Sequence, residues 1–89
     1  MSKDIRLERT CFACPEQYDA FVGDTQVGYL RLRHGYFHVE FPDVGGETVY
    51  EAYTVGDGIF DDEDERVYHL QRAKAAIAAR LYLLKVVGL

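Results

Sequence analysis

Tryptophan is absent from this chain of 89 residues, methionine occurs once, and cysteine and proline occur twice each. Two cysteines make no disulfide framework of the kind that staples small secreted domains, and no charged start runs into an apolar segment with a small-residue cleavage site. The reducing cytoplasm is therefore the expected compartment. Long apolar runs are equally scarce. None approaches the ~20 residues a bilayer helix needs, and the mean hydropathy is −0.20, so no membrane contact is expected. Basic residues are in the minority, with ten Lys and Arg against fifteen Asp and Glu for a formal charge of −5. That sign repels polyanions at long range and excludes charge-driven binding of bulk nucleic acid. The signatures of catalysis are missing as well: no GxSxG, HExxH, Walker loop or dinucleotide glycine fingerprint occurs, and Gly56-Asp57-Gly58 is too short to cradle a phosphate. The expectation is a non-enzymatic protein with no cofactor and no metal.

What is present is an ordinary globular balance, 48% hydrophobic and 28% charged, which predicts one small domain over residues 1–89. A chain this short buries only about 60–65% of its unfolded surface, so a partner or a second copy would help its stability. The alternation of Ile5, Leu7 and Arg9 with Arg6, Glu8 and Thr10 predicts an extended arm or edge strand within residues 1–14, ended by Pro15. An antiparallel sheet is predicted over residues 17–55. Tyr18, Ala20 and Val22 share one face of its first strand, and Gly23-Asp24-Thr25-Gln26 reads as a turn. Leu30 and Leu32 alternate with Tyr29, Arg31 and Arg33; His34-Gly35 suits a tight hairpin; Phe37, Val39 and Phe41 alternate with Tyr36, His38 and Glu40. In the strand from Thr48 to Val55 two parities are open, with either Val49, Tyr53 and Val55 or Tyr50 and Ala52 facing the core.

After Gly58, five consecutive acids, Asp61 to Glu65, open a helical pattern predicted over residues 61–87. Acids at that end complement the helix dipole, and Asp61 or Asp62 can cap it. Val67, Leu70, Ala73, Ile77, Leu81 and Leu84 form the stripe expected to face the sheet, with His69 at its border. The fold class expected is α+β, a two-layer domain in which an antiparallel meander of three to five strands packs against one long C-terminal helix. Residues 1–42 carry Lys3, Arg6, Arg9, Arg31 and Arg33 against Asp4, Glu8, Glu16, Asp19, Asp24 and Glu40, leaving one net negative charge there and four in residues 43–89. The sheet is nearly neutral and the acidity belongs to the helix start.

Three constellations carry chemical possibilities. Cys11-Phe12-Ala13-Cys14 has the spacing of a metal grip, and His34 with His38 would complete a two-Cys, two-His set. The 19 residues between Cys14 and His34 exceed the ~12 of ordinary zinc fingers, so a zinc-stabilised domain is the third reading and two small apolar cysteines the simpler one. The acids Asp57, Asp61, Asp62, Glu63, Asp64 and Glu65 fail the EF-hand spacing, because Ile59 stands where an oxygen ligand is needed. The strongest candidate surface is the polar aromatic sheet face of Tyr29, Arg31, Arg33, Tyr36, His38 and Glu40, since Tyr and Arg concentrate at binding hot spots. The simpler alternative is a solvated face, or one covered by the N-terminal arm.

The runs Glu16-Gln17-Tyr18-Asp19-Ala20, Val27 through Gly35, and Asp57-Gly58-Ile59-Phe60 before an acidic helix start resemble a group of small bacterial and prophage-type proteins of no known activity, over residues 16 to about 80. That resemblance implies a mobile-element context and no particular chemistry. At the level of architecture the order of sheet then helix is similar to the arm-type DNA-binding domains of tyrosine integrases, from which the net charge departs. The functional expectation is a small cytoplasmic protein-binding or adaptor module acting through the aromatic face, with a nucleic-acid-binding domain of integrase-arm or RNA-sheet type as runner-up. Tyr82, Leu83 and Val86 lie off the core stripe and predict a homodimer through the helix end.

Overall fold

The computed structural model describes residues 4–11 and 15–86, the last of them in backbone only. Five strands, β1 (Arg6–Cys11), β2 (Glu16–Val22), β3 (Thr25–Arg33), β4 (Tyr36–Phe41) and β5 (Glu47–Tyr53), precede one helix, α1 (Glu63–Val86). The strands form one open antiparallel sheet in sequence order, β1 to β5. The helix packs on one side of it, against β5 and β3. This is the α+β two-layer arrangement that the alternation of period two, followed by a period near 3.6, dictates.

The tight turns set the register. His34 and Gly35 both take positive φ, 56° and 73°, as a primed hairpin turn requires, and this places Arg33 opposite Tyr36 and Leu32 opposite Phe37. Asp57 O accepts from the Gly35 N–H at 2.6 Å, and Gly35 O accepts from the Thr54 N–H at 2.8 Å, so the loop after β5 pins the hairpin. The N-terminal alternation resolves as an edge strand: β1 pairs only with β2, so it lies beside the sheet and covers neither face.

The inward face holds Ile5, Tyr18, Ala20, Val27, Leu30, Leu32, Phe37, Val39 and Phe60, closed by Ala73 and Ile77 of the helix. Gly28 is the point of closest approach, because a Cβ there would stand 2.5 Å from Ile77 Cδ1 and 3.2 Å from Ala20 Cβ. For β5 the structure selects Tyr50 and Ala52 as the inward pair, opposite Val39 and Phe37, while Tyr53 and Val55 are exposed. A register shift between Val39 and Glu40 pairs Glu40 with Thr48 and leaves Val49 unpaired in the ladder. Val49 therefore also reaches the core, which explains why neither strict alternation fits the segment.

The helix stripe differs from the expected one at its start. Val67 is 48% exposed, and the inward positions are Arg66, His69, Ala73 and Ile77, flanked by Leu70 and Leu81. The helix is rotated to bring Arg66 onto Glu16, the one carboxylate that is completely buried. Glu16 continues the inward parity of Tyr18 and Ala20. Its carboxylate accepts from Arg66 Nε at 2.7 Å, from the Tyr18 hydroxyl at 2.5 Å and from the Phe60 N–H at 3.2 Å, and Arg9 stands 3.7 Å away. Burial pushes the Glu16 carboxyl up, but the Arg66, Tyr18 and Phe60 hydrogen bonds outweigh it and hold the group below its ordinary 4.5. The same pairing and burial push the Tyr18 hydroxyl up to about 12.

The acid run works as a helix start. Asp62 Oδ1 accepts from the Glu65 N–H at 2.8 Å, and Glu65 Oε1 accepts from the Asp61 N–H at 2.7 Å, so Asp62 is the cap and the helix begins at Glu63. His69 sits in an aromatic nest, stacked on Phe60 at 5.6 Å with Phe37 and Tyr50 around it, and its Nδ1 bonds the Tyr50 hydroxyl at 2.9 Å. Burial pushes the imidazole below its ordinary 6.5; Glu65 pulls it up and Arg72 down. A histidine whose folded pKa is depressed stabilises the fold above its unfolded pKa, and that stability is lost as the pH falls through about 6.5 and below. Urea midpoints of the wild type should fall between pH 7 and 5, and His69→Leu should flatten that slope; an equally steep slope in the variant would contradict the assignment.

Candidate functional site

The face opposite the helix carries every residue expected there. Across the middle of the sheet, Gln17, Arg31, His38 and Glu51 stand in one row of register partners. Glu8, Asp19, Tyr29 and Glu40 form the next row toward one end, and Arg33, Tyr36 and Tyr53 form the row at the other end. No described helix or strand lies over these rows, since the helix contacts the sheet from the core side.

The aromatic rings form a ladder. Tyr36 stacks on His38 with centroids 5.3 Å apart and planes 10° from parallel; Tyr29 meets His38 edge-on at 6.4 Å; Tyr53 flanks Tyr36 at 5.4 Å. Such ring pairs hold the side chains upright and rigid. Hydrogen bonds add to this: the Tyr36 hydroxyl donates to Glu51 Oε1 at 2.6 Å and the Tyr29 hydroxyl to Gln17 Oε1 at 3.2 Å. The Glu51 carboxylate pushes the Tyr36 hydroxyl up to about 12, so it stays a donor at all physiological pH.

Two polar atoms in this lattice have no hydrogen-bond partner among the described residues: Arg31 Nε and His38 Nδ1, both shielded from solvent. A buried donor left unmet costs about 1–3 kcal/mol. Neither Arg31 nor Arg33 makes an ion pair among the described residues. The acidic row is uncompensated in the opposite sense: burial, then Asp43 and Glu8, push the Asp19 carboxyl up from its ordinary range. Gln17, Asp19, Glu51 and Tyr53 escaped the sequence reading. The parity of β2 would have found the first two, whereas the bulge in β5 concealed the others.

The two-Cys, two-His set is not assembled among the described residues. Cys14 lies outside them, His34 is at the exposed hairpin turn, and Cys11 on β1 is three strands from His38 on β4, a separation of ~14 Å at the usual strand spacing. Among the described residues no group of three or more His, Cys, Asp or Glu could hold a metal ion, and no helix is long and apolar enough to cross a membrane. At the helix end Tyr82 and Leu83 are 68% and 53% exposed; the Val86 side chain is outside the described atoms.

Fold and surface together define a two-layer α+β domain with one closed face and one open, rigid, aromatic-polar face. Comparison with protein-family models, with curated proteins and with solved structures finds no match.

Proposed function

We propose that this is a small cytoplasmic protein-binding or adaptor module, without catalytic activity, that engages its partner through Tyr29, Arg31, Arg33, Tyr36, His38 and Glu40. The observation that carries the reading is the pair of shielded, unpartnered donors and acceptors, Arg31 Nε and His38 Nδ1, set in a rigid aromatic ladder on an uncovered sheet. A face built this way loses little side-chain entropy on binding, and its polar atoms gain partners they lack alone. Stacked aromatics with arginines also suit single-stranded RNA. Asp19, Glu40 and Glu51 stand on the same face, and their charge favours protein over phosphate.

The test is affinity capture from a cell lysate with and without nuclease, using the wild type, Arg31→Glu and Tyr36→Ala. Each variant should lose the captured protein by roughly 30-fold in affinity, the consequence of a hot-spot change of about 2 kcal/mol, and nuclease should change nothing. Capture that survives both substitutions, or that nuclease abolishes, would refute the reading.

A further inference from the structure

We propose that the occupant of the open sheet face is a second copy of this chain, docked sheet to sheet about a twofold axis that runs across the strands. The inference rests on the reading that this face binds protein, and adds what binds there.

The argument is one of charge order. Along the strand direction the face is polar: Arg31 and Arg33 lie toward the His34-Gly35 hairpin, and Glu8, Asp19 and Glu40 form the row beyond Arg31 at the opposite end, about 7 Å further along. Two copies can meet face to face by a twofold axis along the strands or by one across them. The first stacks arginine on arginine and acid row on acid row, a like-charge juxtaposition that costs several kcal/mol. The second reverses the strand direction while keeping β3 over β3 and β4 over β4. It then lays Arg31 over the second copy's Tyr29, between that copy's Asp19 and Glu40, and lays His38 over its Glu40. Every contact occurs twice, as an isologous interface requires.

Both uncompensated rows are answered by the same operation. Arg31 Nε and His38 Nδ1, shielded and without hydrogen-bond partners, come to face carboxylates. Asp19, crowded by Asp43 and Glu8, comes to face a guanidinium. The flat ladder of Tyr29, His38 and Tyr36 supplies the rigid packing surface between them. The sheet is small: five strands of six to nine residues give a footprint on the order of 500 Å² in plan, below the ~800 Å² per partner of a standard interface. The dimer is therefore expected to be reversible and salt-sensitive, with a dissociation constant in the micromolar range.

Light scattering and sedimentation on the full chain from about 5 to about 300 µM, a range that brackets micromolar dissociation, should show the mass rise from 10.2 kDa toward twice that value, and fall back in high salt. Concentration-dependent amide shifts should be confined to outward residues of β2 to β5, a readout that needs no variant. Arg31→Glu with Arg33→Glu in one chain, and Asp19→Lys with Glu40→Lys in another, should each be monomeric alone. Mixed in equal amounts, these two chains should form a dimer again, because opposite faces then meet.

A wild type that stays monomeric over this range overturns the proposal, as does a dimer that both charge-reversed chains retain. A dimer lost in Leu83→Asp and indifferent to Arg31→Glu would move self-association to the helix end. The underlying reading is separable: if the wild type is monomeric but Arg31→Glu still abolishes capture of a lysate protein, the face binds protein and only the second copy is wrong.

Discussion

Replacing Arg66 with methionine is expected to cost about 3 kcal/mol of stability, the largest effect of any single change at a charged residue in this protein. Glu16 is completely buried, and Arg66 supplies its only two hydrogen bonds from a cation, at 2.7 and 3.2 Å. Removing one partner of a buried pair typically costs about 3–5 kcal/mol, because the remaining charge can neither reach water nor find a substitute. Arg9 at 3.7 Å, the Tyr18 hydroxyl and the Phe60 N–H remain, which sets the expectation at the low end of that range. For a domain of this size the melting temperature should fall by roughly 12–24 °C. Glu16→Gln combined with Arg66→Met should recover most of the loss, since no charge is then stranded. A loss below about 1 kcal/mol in the single variant would show that water or Arg9 serves Glu16 adequately.

The same site fixes the acid limb of the stability curve. A carboxyl held below its unfolded pKa stabilises the fold above that value, and the stability is lost as the pH falls through the folded pKa. Glu16 is held below its ordinary 4.5, so this contribution is complete at neutral pH and disappears below about 4.5. Glu16→Gln should lack that part of the acid slope while keeping the slope near pH 6 that belongs to His69.

Phe37→Ala is expected to cost about 3–5 kcal/mol, the range for truncating a fully buried phenylalanine. Phe37 has no exposed surface and joins both layers: its ring meets Phe60 edge-on at 5.2 Å, Tyr50 at 6.0 Å and His69 at 5.8 Å. The cavity left behind would be lined by rings held in place elsewhere, Phe60 through the backbone bond to Glu16 and His69 through Tyr50, so little collapse is available to refill it. Denaturant unfolding should show a lower midpoint with an unchanged slope. A drop under about 1.5 kcal/mol would mean that the nest relaxes freely around the deletion.

The sequence by itself determined the elements that local chemistry decides. Gly35 and the short turn at His34 force a hairpin, and the alternation on either side then assigns Leu30, Leu32, Phe37 and Val39 inward and Tyr29, Arg31, Tyr36 and His38 outward, as the structure has them. The acidic start and the apolar spacing of Ala73, Ile77 and Leu81 likewise determine a helix with one buried stripe. Only the tertiary structure decided how these elements face one another. Glu16 reads as an ordinary surface acid until Arg66, 50 residues away, is brought against it, and that pairing turns the helix so that Val67 is exposed and His69 is buried. The bulge opposite Val39 and Glu40 settles β5 and thereby adds Glu51 and Tyr53 to the open face. A single strand's period marks two faces but not which neighbour each will meet. Charge compensation and register are set between segments distant in sequence, where the low dielectric of the core makes an unpaired Glu16 far more costly than a misplaced valine.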